Sequence, residues 1–269
     1  LAPTVFGETD ATTGEWKIIA DPTFTPGTNG FTILRNGNTI TDQSTNSNNW
    51  SLGGGTLTNS LDCPSNVFAT LNPLVQSATS FVSASGNNKI TFNNSGSWGY
   101  QISTIGSSTG KYYAEFKVDA KGTECMLGVM PMDSVSANQG GSDFIGKEAG
   151  SVGYNEGGTI YKENASVQSG LGSISNGEIL GVAMDMDNNT VQFYLQGVSR
   201  GSAVSLDAGS IYGIGVSGYG GTTISCNFGN GTFGTTAVTS AGTAGSTPGT
   251  FEYDVPAGYE PLSTKGLNA

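Results

Sequence analysis

Gly110-Lys111-Tyr112-Tyr113-Ala114-Glu115-Phe116-Lys117-Val118 alternates apolar and polar side chains behind a leading glycine. Alternation with a period of two marks a strand with one buried face. The pattern returns in Gly177-Glu178-Ile179-Leu180-Gly181-Val182-Ala183-Met184-Asp185-Met186-Asp187 and in Val191-Gln192-Phe193-Tyr194-Leu195-Gln196-Gly197. It closes with Ile224-Ser225-Cys226-Asn227-Phe228-Gly229. Asp187-Asn188-Asn189 reads as a tight hairpin turn between two of these strands. The run from Gly110 to Phe228 therefore predicts an antiparallel all-β fold.

Composition agrees. The 269 residues include 42 glycines, and only 12% are charged, so short apolar runs are separated by many turns. Aromatics make up 9% and lie inside the alternating runs, which argues for folded sheet over disorder. The net charge of −11 disfavours nucleic acid and anionic membrane surfaces. No apolar run approaches the ~18 residues needed to span a bilayer, and no signal-peptide pattern opens the chain. Leu1-Ala2-Pro3-Thr4 lacks an initiator Met, so a processed product or a portion of something longer is expected.

Histidine is absent. Its absence removes Ser-His-Asp and Cys-His nucleophile activation and the commonest transition-metal ligand. Three cysteines, Cys63, Cys125 and Cys226, make no disulfide framework and have no zinc-ligand spacing. Cys125 and Cys226 lie in apolar strands and read as small buried hydrophobes. No catalytic residue, metal or cofactor is expected.

Residues 1–75 are turn-dense, with short strand candidates at Glu15–Ile19, Phe31–Leu34 and Trp50–Leu52 and an Asn36-Gly37 hairpin signal. This segment has too few apolar runs for a core of its own. It reads as an extension or joint that packs on another domain or subunit. Residues 76–269 read as a single sandwich. Its strands are expected at Phe81–Ala84, Lys89–Phe92, Tyr100–Ser103, Lys111–Asp119, Cys125–Met130, Ser151–Tyr154, Ile160–Lys162, Ile179–Asp185, Thr190–Leu195, Ile211–Gly218 and Thr223–Phe228, with a last apolar segment at Phe251–Leu262. Pro131–Gly150, Glu163–Asn176 and Asn230–Thr250 are the long non-strand insertions, where binding commonly resides. A short helical turn is expected near Asn138–Lys147.

These blocks, in this order, resemble the SPRY domain over about residues 98–262. Gly110–Val118 is similar to that family's opening strand, Leu127-Gly128-Val129 to its "iGv" strand and Ser151-Val152-Gly153-Tyr154 to the strand ending in Gly-Tyr. Gly177–Asp187 resembles its "GD-IG-lD-d" signature, with Glu178 where Asp is usual. Phe193–Gly197 resembles "F-lNG", with Gln196 replacing Asn. Asn227-Phe228-Gly229 and Pro256–Leu262 resemble "NFG" and "PaGf-pL". The resemblance implies a bent antiparallel β-sandwich of the concanavalin-like jelly-roll type that binds partners through its loops and performs no chemistry. The flanks Phe6–Asp10, Gly14–Lys17, Thr28–Phe31 and Asn66–Leu74 resemble segments that precede SPRY domains in tailed-bacteriophage virion proteins. That likeness implies that residues 1–75 are the end of an upstream concanavalin- or laminin-G-like jelly-roll region plus the joint, and that the chain is a tail fibre, head fibre or decoration protein at the virion surface. A RING or B-box cannot be built from three cysteines and no histidine.

Tyr219, flanked by glycines, and Tyr161 are the candidate ligand-stacking aromatics, while Tyr154 and Tyr212 fit a sandwich core better. Asp133 and Asp143, with Glu148 and Glu156, are the carboxylates in or near the Pro131–Gly150 insertion that could serve a glycosidase or a cation. Asp185–Asn189 has the look of a calcium loop but lacks the oxygen spacing and the terminal Glu, and reads as a hairpin turn. Gly53–Gly55 and Gly218–Gly221 lack the lysine of a phosphate loop. The expected function is a non-enzymatic virion protein with a recognition module for a host glycan or protein. Its partners would be other virion proteins and copies of itself, with trimers common in fibres. A tailspike-like polysaccharide-degrading enzyme using a carboxylate pair and a purely structural capsid cement are the alternatives.

Overall fold

The computed structural model describes residues 2–19, 22–34, 39–55, 61–63, 66–75, 80–93, 96–135, 141–240, 242–243 and 246–269. It forms two compact units, Leu1–Asn59 and Ser60–Ala269.

The first unit carries a hairpin of β1 (Gly7–Thr9) and β2 (Trp16–Ile18). Among its described residues no large apolar side chain is buried: Phe6, Trp16, Ile18, Phe31, Leu34, Trp50 and Leu52 are exposed. Polar bonds organise it instead. Asp42 accepts the amides of Thr32, Ser44 and Asn48, each at 2.8 Å. Burial pushes that carboxyl up, but these donors outweigh it and hold it at about 2. The strands expected at Phe31–Leu34 and Trp50–Leu52 do not form, and at Thr32 the Asp42 carboxylate takes the amide that a ladder would use. The Asn36-Gly37 turn lies outside the described residues. Its flanks pair through Leu34 N–H to Thr39 O (2.8 Å) and Gln43 N–H to Thr32 O (2.7 Å).

The second unit is a β-sandwich. Its strands are β3 (Phe81–Ala84), β4 (Lys89–Phe92), β5 (Gly99–Ile102), β6 (Lys111–Ala120), β7 (Glu124–Pro131), β8 (Val152–Asn155), β9 (Ile160–Lys162) and β10 (Ala165–Gln168). They continue with β11 (Ile179–Asp185), β12 (Thr190–Leu195), β13 (Val198–Ser205), β14 (Tyr212–Tyr219) and β15 (Thr222–Asn227). Five short strands follow: β16 (Thr232–Phe233), β17 (Thr236–Ala237), β18 (Gly242–Thr243), β19 (Thr250–Phe251) and β20 (Glu260–Pro261). One sheet runs β10-β9-β8-β7-β14-β5, and the other β13-β12-β11-β6-β15-β4-β3. All these pairings are antiparallel, and β20 adds to β6 in parallel.

The alternation read from the sequence fills the space between the sheets. Tyr112, Ala114, Phe116 and Val118 point inward from β6, as do Leu180, Val182 and Met184 from β11 and Ile214 and Val216 from β14. Phe116 meets Phe228 edge-on at 5.8 Å between ring centroids. Cys125 and Cys226 are buried here, and burial lifts the Cys125 thiol to about 12 and Cys226 well above its usual value. Asp185 closes the β11–β12 hairpin by accepting the amides of Asp187 and Asn188 at 3.1 and 3.0 Å and pairing with Lys111 at 3.1 Å, so the segment is a turn.

The structure corrects the insertions. β10 forms inside Glu163–Asn176, and β16, β17 and β18 form inside Asn230–Thr250. β13 follows the two-residue turn Gln196-Gly197, whose φ values are +53° and +73°. β10 and most of β13 are exposed, so neither shows the alternation that marks a half-buried strand. The described part of Asn138–Lys147 consists of turns and irregular backbone, with no helix. No helix among the described residues is long and apolar enough to cross a membrane.

Candidate functional site

Pro131–Gly150 is one of the insertions expected to carry binding. Its described C-terminal part lies flat on the outer face of the six-stranded sheet. Glycines make room: a side chain on Gly153 would strike the Ile145 carbonyl, and one on Gly215 would come within 2.9 Å of Ile145 Cδ1. Ile145 N–H donates to Ser217 Oγ (2.8 Å), and Ile145 packs with Tyr100, Ile102 and Met130 in a second small core outside the sandwich.

This packing builds an aromatic edge at one end of the sheet. Phe144 leads into the bound segment, Trp98 precedes β5 and Tyr219 ends β14. The Trp98 ring lies 4.7 Å from Phe144 and 4.9 Å from Tyr219 between centroids. Trp98 N–H donates to Gly141 O at 2.8 Å, tying the two segments together. All three aromatics are half-buried. Glu124 stands opposite Tyr219 across the β7–β14 ladder. Burial, the neighbouring Glu124 and Glu156 charges and a hydrogen bond to Glu124 raise the Tyr219 hydroxyl. Burial and Glu156 raise Glu124. Glu156 Oε2 accepts the Cys125 amide at 2.9 Å. The edge thus offers aromatic faces beside a carboxylate, a phenol and an indole, an arrangement suited to holding a polar ligand with an apolar face.

Tyr161 shares that outer face, and its Cβ lies against Gly146 in the same bound segment. Asp143 pairs with Lys147 at 3.4 Å, two residues before Ile145. Asp133 stands elsewhere. It is exposed in the turn Met132–Ser134, beside the Tyr212 end of β14. Seven steps of β14 at ~3.3 Å put that end roughly 23 Å from Tyr219. Tyr154 and Tyr212 are core residues, with hydroxyls donating to Gly172 O (2.5 Å) and Gly150 O (2.9 Å). Trp98 and Phe144 were missed, because nothing local in the sequence marks their meeting with Tyr219. A groove of about 400 Å³ in the first unit, lined by Pro22, Phe24, Pro26, Thr32 and Ser44, carries no titratable side chain. Among the described residues no cluster of three or more His, Cys, Asp or Glu is arranged to hold a metal.

The opposite outer face, on the eight-stranded sheet, is crossed by the C-terminal segment. Glu115 is fully buried there. It accepts Glu252 N–H on Oε2 (2.8 Å) and Tyr253 N–H on Oε1 (2.9 Å). Its ladder partner Asn227 donates Nδ2 to Thr250 O at 3.0 Å, and Asn227 Oδ1 takes the amides of Gly229 and Gly231 at 2.9 and 3.1 Å. Phe251 closes on Tyr113 edge-on at 5.1 Å. Burial raises the Glu115 carboxyl to about 7, against the opposing pull of the two amides and Asn227.

A family model described as the SPRY domain matches residues 111–231. SPRY domains are interaction modules and generally non-catalytic. Among solved structures, the SPRY domain of human HERC1 is 19% identical; the match covers 52% of this chain and 87% of that one, with a TM-score of 0.43. A second human SPRY domain is 16% identical, with 55% and 96% coverage and a TM-score of 0.44. The stonustoxin structure is 17% identical, with 59% and 27% coverage and a TM-score of 0.47. A search of curated proteins found no match.

Proposed function

We propose that this chain is a non-enzymatic structural protein of a tailed-phage particle, a fibre or decoration at the virion surface, whose SPRY sandwich recognises a host glycan or protein. The observation that carries recognition is the Trp98–Phe144–Tyr219 edge with its two glutamates. Such a half-buried aromatic group flanked by carboxylates binds a sugar ring or a peptide side chain by its faces and orients it by hydrogen bonds. The virion setting rests on the likeness of the flanking segments to those of phage virion proteins. Assembly with copies of itself or with other virion proteins is supported by the first unit, whose apolar side chains are left exposed where a folded unit ordinarily buries them.

The test is binding of the recombinant chain to arrayed bacterial-surface glycans and to host cells, with Tyr219→Ala and Trp98→Ala alongside. Binding that both variants lose while circular dichroism stays native supports the reading. Binding that survives both variants removes the aromatic edge from it. Imaging of a particle in which this edge is buried between subunits replaces recognition with a cement role.

A further inference from the structure

We propose a second binding site, for a single neutral sugar unit, in the cleft between the outer face of the eight-stranded sheet and the C-terminal segment. The cleft has a volume of about 230 Å³ and is lined by Lys117, Ile179, Gln196, Phe233, Thr236 and Tyr253, with Glu252 at its rim. That is below the ~300 Å³ at which drug-sized pockets begin, so it takes one ring rather than an extended chain.

The lining is a set of unspent donors over an apolar floor. Lys117 points away from the core, between the inward-facing Phe116 and Val118. Among the described residues its ammonium, like those of Lys121 and Lys265, has no ion pair or hydrogen-bond partner, whereas Lys17, Lys89, Lys111, Lys147 and Lys162 are paired. Gln196 spends its carbonyl oxygen on Ile179 N–H (2.7 Å), which leaves its NH₂ for a ligand. The hydroxyls of Tyr253 and Thr236 likewise have no partner among the described residues. Ile179 and Phe233 are buried and form the apolar surface.

The charge decides the class. Glu252 is an ionised acceptor at the rim, held by Thr239 and Ser240, and Glu178 lies close enough to act on Tyr253. One lysine in a lining that also holds Glu252, with Glu178 near Tyr253, does not favour an anion. Four neutral or cationic donors, one carboxylate and an apolar floor match a pyranose, which offers several hydroxyls as both donor and acceptor and one C–H face. The wall is preformed: Glu115 fixes the backbone of Glu252 and Tyr253, and the Tyr253 ring packs on the turn at Gly197. This site lies on the opposite face of the sandwich from the aromatic edge and does not depend on it.

Saturation-transfer NMR on the whole chain with methyl glycosides of glucose, galactose and mannose, and with glucuronate, tests the proposal. The expected result is transfer to at least one neutral hexoside. In a Tyr219→Ala background, which takes the aromatic edge out of the readout, Lys117→Met and Tyr253→Phe should each weaken binding by about tenfold, the size of one lost polar contact. No transfer to any neutral hexoside at tens of millimolar overturns it. So does transfer to glucuronate alone, or binding that neither Lys117→Met nor Tyr253→Phe changes. Tyr253→Phe removes a single oxygen, so it keeps the test decisive if Lys117→Met fails to fold.

Discussion

Replacing Glu115 should loosen the C-terminal segment from the sandwich. The side chain is fully buried and satisfies two amides, Glu252 at 2.8 Å and Tyr253 at 2.9 Å. Glu115→Ala strands both donors, and each buried unsatisfied amide costs about 1–3 kcal/mol. The expected loss of stability is therefore roughly 2–5 kcal/mol, with relaxation of the segment setting the lower end. Glu115→Gln keeps the shape and one oxygen but turns an NH₂ on the other amide, for about half that loss. The wild-type residue also gives a pH signature. Its carboxyl is raised from 4.5 to about 7, so the folded chain holds a proton that the unfolded chain releases. That contribution is full below pH 4.5 and is lost as pH rises through 7. At about 1.36 kcal/mol per pH unit, the interval from 4.5 to 7 is worth about 3 kcal/mol. Urea denaturation followed by circular dichroism at pH 4.5, 6 and 8 should show wild type losing stability relative to Glu115→Gln across this range. Hydrogen exchange at Glu252 and Tyr253 should speed up in both variants. A Glu115→Ala protein within about 0.5 kcal/mol of wild type, with those amides still protected, refutes the account.

Gly153→Ala should cost roughly 1–3 kcal/mol and release the Phe144–Gly146 segment, because the new Cβ collides with the Ile145 carbonyl; urea midpoints and exchange at the Ile145 amide would register it. Tyr219→Ala should remove an aromatic contact worth about 1 kcal/mol and shift the Trp98 contribution to fluorescence to the red as the indole gains water, and an unchanged spectrum would deny the stacking. At pH 8 a thiol reagent should modify Cys63, which is exposed, and spare Cys125 and Cys226, which burial keeps as thiols, until denaturant exposes all three.

How far the structure could be read in advance followed burial. β12 was legible because one face is buried and its side chains alternate accordingly, and β6 was legible from its alternating sequence although the C-terminal segment also covers part of its outward face, while β11, buried on both faces, reads as a near-continuous apolar run. β10 and β13 were not, since edge strands with both faces wet carry no period. The bound path of residues 141–150 was illegible for another reason: its cause lies outside the loop, in glycines of β8 and β14 that let a backbone approach the sheet. The aromatic edge was legible only at Tyr219. Trp98 and Phe144 join it through a fold-level meeting of segments far apart in the chain.

The blocks that carried the resemblance are explained by what they hold as much as by the strands they form. Glu115 comes from the opening block and Asn227 from the closing one, and the ladder sets them side by side on the outward face. A polar residue at an outward strand position is ordinarily read as solvated. Here both are fully buried, and between them they bind Thr250, Glu252 and Tyr253. The segment they fix continues to Glu260, which pairs with β6, and to Leu262, buried in the main core. Without Glu115 and Asn227 the apolar surface of Tyr113 and Ala183 would lose the Phe251 cover and face water. The two polar positions therefore convert a sheet face that would need a partner protein into one covered by the chain itself. The aromatic edge on the other sheet and the small cleft beside Lys117 stay outside this cover.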